Sequence, residues 1–128
     1  MARPKATHPT DRELEILRVL WDTGPASLGT VCAALRKSRP LATTTVATML
    51  GVMLDKRLVA RARGPRGYAW SAKVSREQAA GGLVGRLLDR VFDGSAHSLV
   101  AHLVEEGRLS DDELKEIQRL LKASRKKV

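Results

Sequence analysis

Apolar residues along this chain fall into helical spacing, interrupted once by a stretch of alternation. Thr10-Asp11-Arg12-Glu13 has the form of a capping box, and Leu14, Leu17, Leu20 and Trp21 follow at helical intervals as far as Thr23-Gly24-Pro25. Ser27 opens a second helix whose Leu28, Val31, Cys32 and Leu35 recur at i, i+3, i+4 and i+7. A third runs from about Ala42 to Asp55, with Val46, Leu50, Met53 and Leu54 on one side and Thr44, Thr45, Thr48, Val52 and Asp55 on the other. The period then changes to two. Val59 to Arg63 and Gly67 to Ser71 predict short strands joined across Gly64-Pro65-Arg66-Gly67, with Arg61 and Arg63 sharing a face of the first strand and Tyr68 and Trp70 sharing a face of the second. Helical spacing returns after a second capping box, Ser75 to Gln78, in Leu83, Val84, Leu87, Leu88, Val91 and Phe92. It continues in Leu99, Val100, Leu103 and Val104, and, after Ser110-Asp-Asp-Glu113, in Leu114, Ile117, Leu120 and Leu121.

Helix, helix, helix, hairpin is the order of a winged helix, and the charge agrees with a nucleic-acid role. The 128 residues carry a net charge of +9. Residues 1 to 74 hold 13 Lys and Arg against 5 Asp and Glu, whereas residues 75 to 128 hold 10 against 9. A basic first half joined to a nearly neutral second half fits a DNA module followed by an interaction module. The fold class expected is therefore mainly α, a winged helix-turn-helix domain over residues 10 to 74 and a three-helix dimerisation domain over 75 to 128. Residues 1 to 9, with Arg3, Lys5, His8 and two prolines, read as a basic arm.

Candidate chemistry concentrates on the third helix and the hairpin. Threonine offers a hydroxyl to a base edge or phosphate and a methyl to thymine, and its shortness lets a helix lie close to the groove floor. Thr44, Thr45 and Thr48 are the expected base-reading residues; Thr43 belongs to the same interface but reads first as a helix cap. Arg61, Arg63 and Arg66 on the hairpin, and Arg39 after the second helix, are the expected phosphate contacts. Tyr68 and Trp70 are expected to pack on the helices, because base stacking belongs to single-stranded targets.

Other classes of function find little here. One cysteine, Cys32, falls in an apolar stripe and excludes an intramolecular disulfide or a cysteine-cluster metal site. His97 and His102 are off the i, i+4 spacing of paired ligands. No nucleophile with a neighbouring base, phosphate-cradling glycine loop or zinc pattern occurs, so neither an enzyme nor a cofactor is expected. The sequence has no signal peptide pattern and no membrane-length apolar run, which points to the cytoplasm without membrane insertion. Two alternatives to a repressor are a winged helix serving as a protein-interaction adaptor and a MarR-like ligand-sensing regulator. Against the second, the aromatic residues Trp21, Tyr68 and Trp70 lie in the first module, which leaves few to line a pocket beside the dimer helices.

These residues together resemble the penicillinase repressor family of bacterial transcription factors, the BlaI/MecI group, which also includes CopY-type copper-responsive repressors. The likeness is carried by Thr10-Asp-Arg-Glu-Leu-Glu-Ile-Leu through Leu20-Trp21, by Thr45-Val46-Ala47-Thr48-Met49-Leu50, by the Asp55-Lys56-Arg57-Leu58 turn and by Tyr68-Ala69-Trp70. It implies a homodimeric repressor that binds a dyad operator on double-stranded DNA at a promoter. In the best-known members a membrane sensor-protease system leads to cleavage within the dimerisation domain. The family's Asn-Phe cleavage position falls here on His102-Leu103, which departs from the pattern. The C-terminal cysteine cluster of the CopY type is absent, and Gly51-Val52 stands where family members often have Lys-Arg.

The second half supports association on its own terms. Three short helices in about 50 residues bury too little surface to be stable alone. Leu87, Val91, Leu99, Leu103, Leu114, Ile117 and Leu121 are the expected dimer contacts.

Overall fold

A computed structural model describes residues 8–126 of the chain. Arg3 and Lys5 of the expected basic arm lie outside the described residues. The elements are α1 (Asp11–Thr23), α2 (Leu28–Leu35), α3 (Thr43–Asp55), β1 (Val59–Gly64), β2 (Gly67–Ala72), α4 (Arg76–Val91), α5 (Ala96–Glu105) and α6 (Asp111–Lys126). The protein is mainly helical, with a single two-stranded antiparallel sheet among the described residues.

Local chemistry sets most of these boundaries. Thr10 caps α1 reciprocally with Glu13: the Glu13 N–H donates to Thr10 Oγ1 at 3.2 Å, and the Thr10 N–H donates to Glu13 Oε1 at 2.9 Å. Gly24, at φ 76°, ends the helix by returning its N–H to the Leu20 carbonyl. Ser27, Ser75, Ser95 and Ser110 each accept a backbone N–H three residues on, opening α2, α4, α5 and α6. The cap of α3 differs from expectation. Ala42, not Thr43, is its N-cap, and no side chain caps it. Thr43 is already inside the first turn, so its hydroxyl is not spent on the helix start.

The chain divides into two compact units within α4, one ending at Leu83 and the other beginning at Val84. Ala79, in the first half of α4, is buried.

In the first unit Ile16, Leu17, Leu20, Val31, Leu35, Val46, Leu50, Met53, Leu58 and Val59 form one core with Cys32 and Trp70. Cys32 is thus a small buried hydrophobe. The inward face of α1 is Glu13, Ile16, Leu17 and Leu20, an i, i+3, i+4, i+7 stripe rotated from the expected one. Leu14 and Trp21 are only half-buried and line a shallow surface groove. Ile16 takes their place because the helix meets both α2 and β2.

The rotated stripe brings a carboxylate inside. Glu13 Oε1 lies 2.6 Å from Lys56 Nζ, and the two side chains are only 7% and 12% exposed. Burial alone would raise the Glu13 pKa. The hydrogen bond from Lys56, the Thr10 backbone N–H and the Lys56 charge outweigh it and hold the carboxyl below its ordinary 4.5. A depressed folded-state pKa contributes stability above the unfolded value that is lost as pH falls through the folded one. Glu13→Gln should therefore cost about 3 kcal/mol at neutral pH, since it leaves the Lys56 ammonium buried without a counter-charge. Urea denaturation from pH 7 to pH 3 should show the difference between variant and wild type shrinking below about pH 4.5.

Candidate nucleic-acid interface

The orientation of α3 follows from its buried side. Val46, Leu50 and Met53 are fully enclosed, which turns Thr44, Thr45, Thr48, Val52 and Asp55 outward, and all five are exposed. Thr43 and Ala47 are exposed beside them. Thr48 donates its hydroxyl proton to the Thr44 carbonyl at 2.9 Å. Its oxygen lone pairs and methyl group remain available, so Thr48 is an acceptor and an apolar contact rather than a donor.

Behind α3 the sheet is tied to the helices through the backbone. Ala26, in the turn before α2, exchanges N–H and carbonyl with Trp70 at 2.8 and 2.7 Å, adding a one-residue bridge to the edge of β2. The sequence gives no alternation at Ala26, so this third strand position was not expected. Trp21 Nε1 donates to the Val74 carbonyl at 2.9 Å and secures the segment that leaves the hairpin.

Strand register brings the charged and aromatic faces together. Arg61 pairs with Trp70 and Arg63 with Tyr68, and directly opposed residues share a face. The Arg61 guanidinium lies 4.1 Å from the Tyr68 ring centre and 5.6 Å from that of Trp70, and Arg63 is 6.0 Å from Tyr68. Trp70 is 7% exposed and packs in the core as expected, but Tyr68 is 39% exposed. Tyr68 is therefore a surface ring supporting two arginines, not a helix-packing residue. The pairing could be read in the sequence: with Pro65-Arg66 as a two-residue turn, the strands match residue by residue outward from Gly64 and Gly67.

Arg66 occupies the exposed tip, followed by Gly67 at φ 105°. Arg39 is placed differently from the hairpin arginines. Its Nε lies 3.7 Å from Glu15 Oε1 on α1, so part of its charge is already matched.

In the second unit His102 and Leu103 lie within α5. His102 Nε2 is 3.4 Å from Glu106 Oε2 and its ring is 5.8 Å from that of Phe92. Leu99, Leu103, Leu114 and Ile117 are half-buried, while Leu87, Val91 and Leu121 are exposed. No group of His, Cys, Asp and Glu suited to a metal ion occurs among the described residues. None of their helices is long and apolar enough to cross a membrane.

A three-helix core with an exposed third helix, flanked by a cationic antiparallel hairpin, defines a winged helix-turn-helix protein of the DNA-binding class. The penicillinase repressor family model matches residues 9–123, and the chain belongs to that family. The transcriptional regulator BlaI of Mycobacterium tuberculosis is 33% identical over 119 residues, spanning 91% of this chain and 85% of that protein. The penicillinase repressor of Bacillus licheniformis is 23% identical over 112 residues, spanning 88% of each. A solution structure of Bacillus licheniformis BlaI, monomeric and in complex with the blaP half-operator, has a TM-score of 0.49 at 20% identity over 61% of this chain and 93% of that one. The protein is a DNA-binding repressor of the penicillinase repressor type, and it is not an enzyme.

The hairpin geometry carries its own test. A Cβ at Gly67 would meet no atom within 4 Å, so the only obstacle to a side chain there is the backbone angle. Gly67→Ala should destabilise the protein by about 1–2 kcal/mol in chemical denaturation, and Gly64→Ala, where φ is not positive, should cost less.

Proposed function

We propose that the protein is a homodimer that represses transcription in the cytoplasm by occupying a dyad operator at a promoter. The observation that carries this reading is the exposed first half of α3, four exposed threonines beside the hairpin arginines. Thr44, Thr45 and Thr48 read base edges, Thr43 adds a hydroxyl at the helix start, and Arg61, Arg63 and Arg66 hold phosphates. Arg39 has a secondary role because Glu15 competes for it.

The case for a dimer rests on the second unit. Among its described residues none is buried, and Val84, Leu87, Val91, Val100, Val104, Leu120 and Leu121 are each more than two-fifths exposed. A three-helix unit with no interior needs a second copy to make one. Leu87, Val91, Leu99, Leu103, Leu114, Ile117 and Leu121 would form the shared core. A membrane sensor-protease system acting at His102-Leu103 would have to unwind α5 first, since both residues are helical.

The reading is tested by selecting duplexes from a random pool with the full-length protein. A dyad with half-sites one or more helical turns apart is expected; recovery of unselected DNA alone would remove the operator-binding reading and leave a winged helix used for protein contacts. On the selected operator, Thr48→Val should cost about 1–3 kcal/mol and relax preference at one base position, because it keeps the methyl and loses the acceptor. Arg66→Ala should weaken binding to all sequences and reduce the slope of log K against log salt by about 0.9. Val91→Glu should shift the sedimentation coefficient to that of a monomer and lower operator affinity with it; an unchanged coefficient would place the dimer contact elsewhere.

A further inference from the structure

A groove of about 350 Å³ lies between α1 and the first half of α4, and every residue lining it belongs to the first unit. Its apolar lining is Leu14 and Trp21 on α1 with Ala79, Ala80 and Leu83 on α4. Alanine at 79 and 80 leaves space that larger side chains would fill. Trp21 is fixed in place. Its Nε1 donates to the Val74 carbonyl at 2.9 Å, and the Arg76 guanidinium lies 5.3 Å from its ring centre. A groove of this size and lining suits one small molecule that is mostly apolar and carries a few polar groups.

Four ionisable residues line the same groove, and they are satisfied unequally. Arg76 pairs with Asp22 at 3.4 Å, and Asp11 lies in the first turn of α1, where the helix dipole favours a carboxylate. Arg18 is exposed and has neither an ion pair nor a hydrogen bond among the described residues. Glu15 is half served. Its Oε1 lies 3.7 Å from Arg39 Nε, whereas its Oε2 is shut off from solvent and accepts no hydrogen bond among the described residues. A carboxylate oxygen removed from water without a donor is an unfavourable arrangement that a donor from outside would relieve. Glu15 and Arg18 are three residues apart on one helix, so their side chains are neighbours. An acceptor without a donor and a guanidinium without an anion therefore stand together at an apolar groove.

We propose that this groove binds a free α-amino acid with a large apolar side chain. Its ammonium donates to Glu15 Oε2, its carboxylate accepts from Arg18, and its side chain lies against Trp21, Ala80 and Leu83. An α-amino acid carries both charges on one carbon, which two side chains one helical turn apart can reach together. Asp11, one turn before Glu15, adds negative potential on the side of the ammonium. A plain amine would leave Arg18 without its anion, and a plain carboxylate would leave Glu15 without its donor. The site shares no residue with the outward face of α3 or with the hairpin, so it stands or falls independently of the operator-binding reading.

The test uses the full-length protein and L-phenylalanine as the probe, with phenethylamine and 3-phenylpropionate as analogues that lack the carboxylate and the ammonium. Binding is read from the indole N–H resonance of Trp21, with that of Trp70, enclosed in the core, as internal control; thermal melts check folding. L-Phenylalanine should shift the Trp21 signal saturably at millimolar concentration and leave that of Trp70 in place. Each analogue should bind about two- to five-fold more weakly, the worth of one exposed ion pair. Arg18→Gln should erase the difference between phenylalanine and phenethylamine and keep that against 3-phenylpropionate, and Glu15→Gln should do the reverse. Ala80→Leu, which fills the groove from an exposed position, should remove the shift without lowering the melting temperature; Arg18→Gln, also at an exposed position, serves if the larger side chain perturbs the fold. A saturable shift that is missing from Trp21, or shared equally by Trp70, would overturn the site. Equal binding of the three compounds, or an Arg18→Gln variant that ranks them as wild type does, would overturn the amino-acid assignment.

Discussion

One buried carboxylate organises the first unit. Glu13 sits where the core-facing stripe of α1 would ordinarily carry an apolar side chain, and a single oxygen, Oε1, accepts from both the Thr10 N–H and the Lys56 ammonium. Lys56 is the C-cap of α3. The N-terminus of one helix is thus fastened to the C-terminus of the other, and a cation at the end of α3 also suits that helix's dipole. A buried pair of this kind is costly to desolvate and contributes little net stability over an apolar pair, but breaking it strands a charge. Its value is positional. With Lys56 fixed, Arg57 turns the chain at φ 64°, and Leu58 enters the core with its N–H on the Met53 carbonyl. The Leu58 carbonyl then accepts from Lys73 at the end of the hairpin. Helix end, turn and hairpin exit converge within a few residues, which sets the angle between α3 and the hairpin.

How much of this was legible in the sequence depended on whether the signal was local. The serine caps and the Thr10 capping box, the Gly24 stop, the buried side of α3 and the hairpin turn are all determined by neighbours within a few residues, and they were readable; the Thr43 cap was not, because Ala42 takes that position. The face of α1 was not, because periodicity allowed both a Leu14-Leu17-Leu20-Trp21 stripe and a Glu13-Ile16-Leu17-Leu20 stripe. A charged residue counts against the second until its partner, 43 positions away, is known. Tyr68 was misplaced for a related reason. Its packing on the helices was weighed only against base stacking, whereas the register with β1 puts the ring opposite Arg63 and close to Arg61.

The two units differ in how completely they satisfy their own apolar surface. The first encloses its core residues almost fully, although it carries most of the net charge and must keep its cationic faces in water. The second is nearly neutral and leaves valines and leucines in solvent. Self-repulsion opposes joining two strongly basic modules, whereas a nearly neutral module with exposed apolar faces can pair without that penalty. In the proposed dimer, charge and unsatisfied apolar surface would thus belong to different units, so the self-repulsion of the basic unit need not oppose pairing of the other.

The same separation appears at smaller scale inside the proposed interface. Hydroxyls and methyls lie along α3, while the guanidinium groups lie on the hairpin and, with Arg39, after α2. Base discrimination depends on short side chains with fixed positions; phosphate attraction depends on charge and tolerates reach. Placing arginines on α3 would have brought long, mobile side chains to the helix surface and filled the space over Ala47 and Gly51. Carrying them on Tyr68 instead keeps the helix surface low while retaining the charge nearby, and the cation–π contact limits the rotamer freedom that an isolated surface arginine would lose on binding. The cost falls on α3, which carries an uncapped N-terminus and a central glycine. The tertiary contacts of Val46, Leu50 and Met53, secured by Lys56 at the far end, are what keep that weakened helix in place.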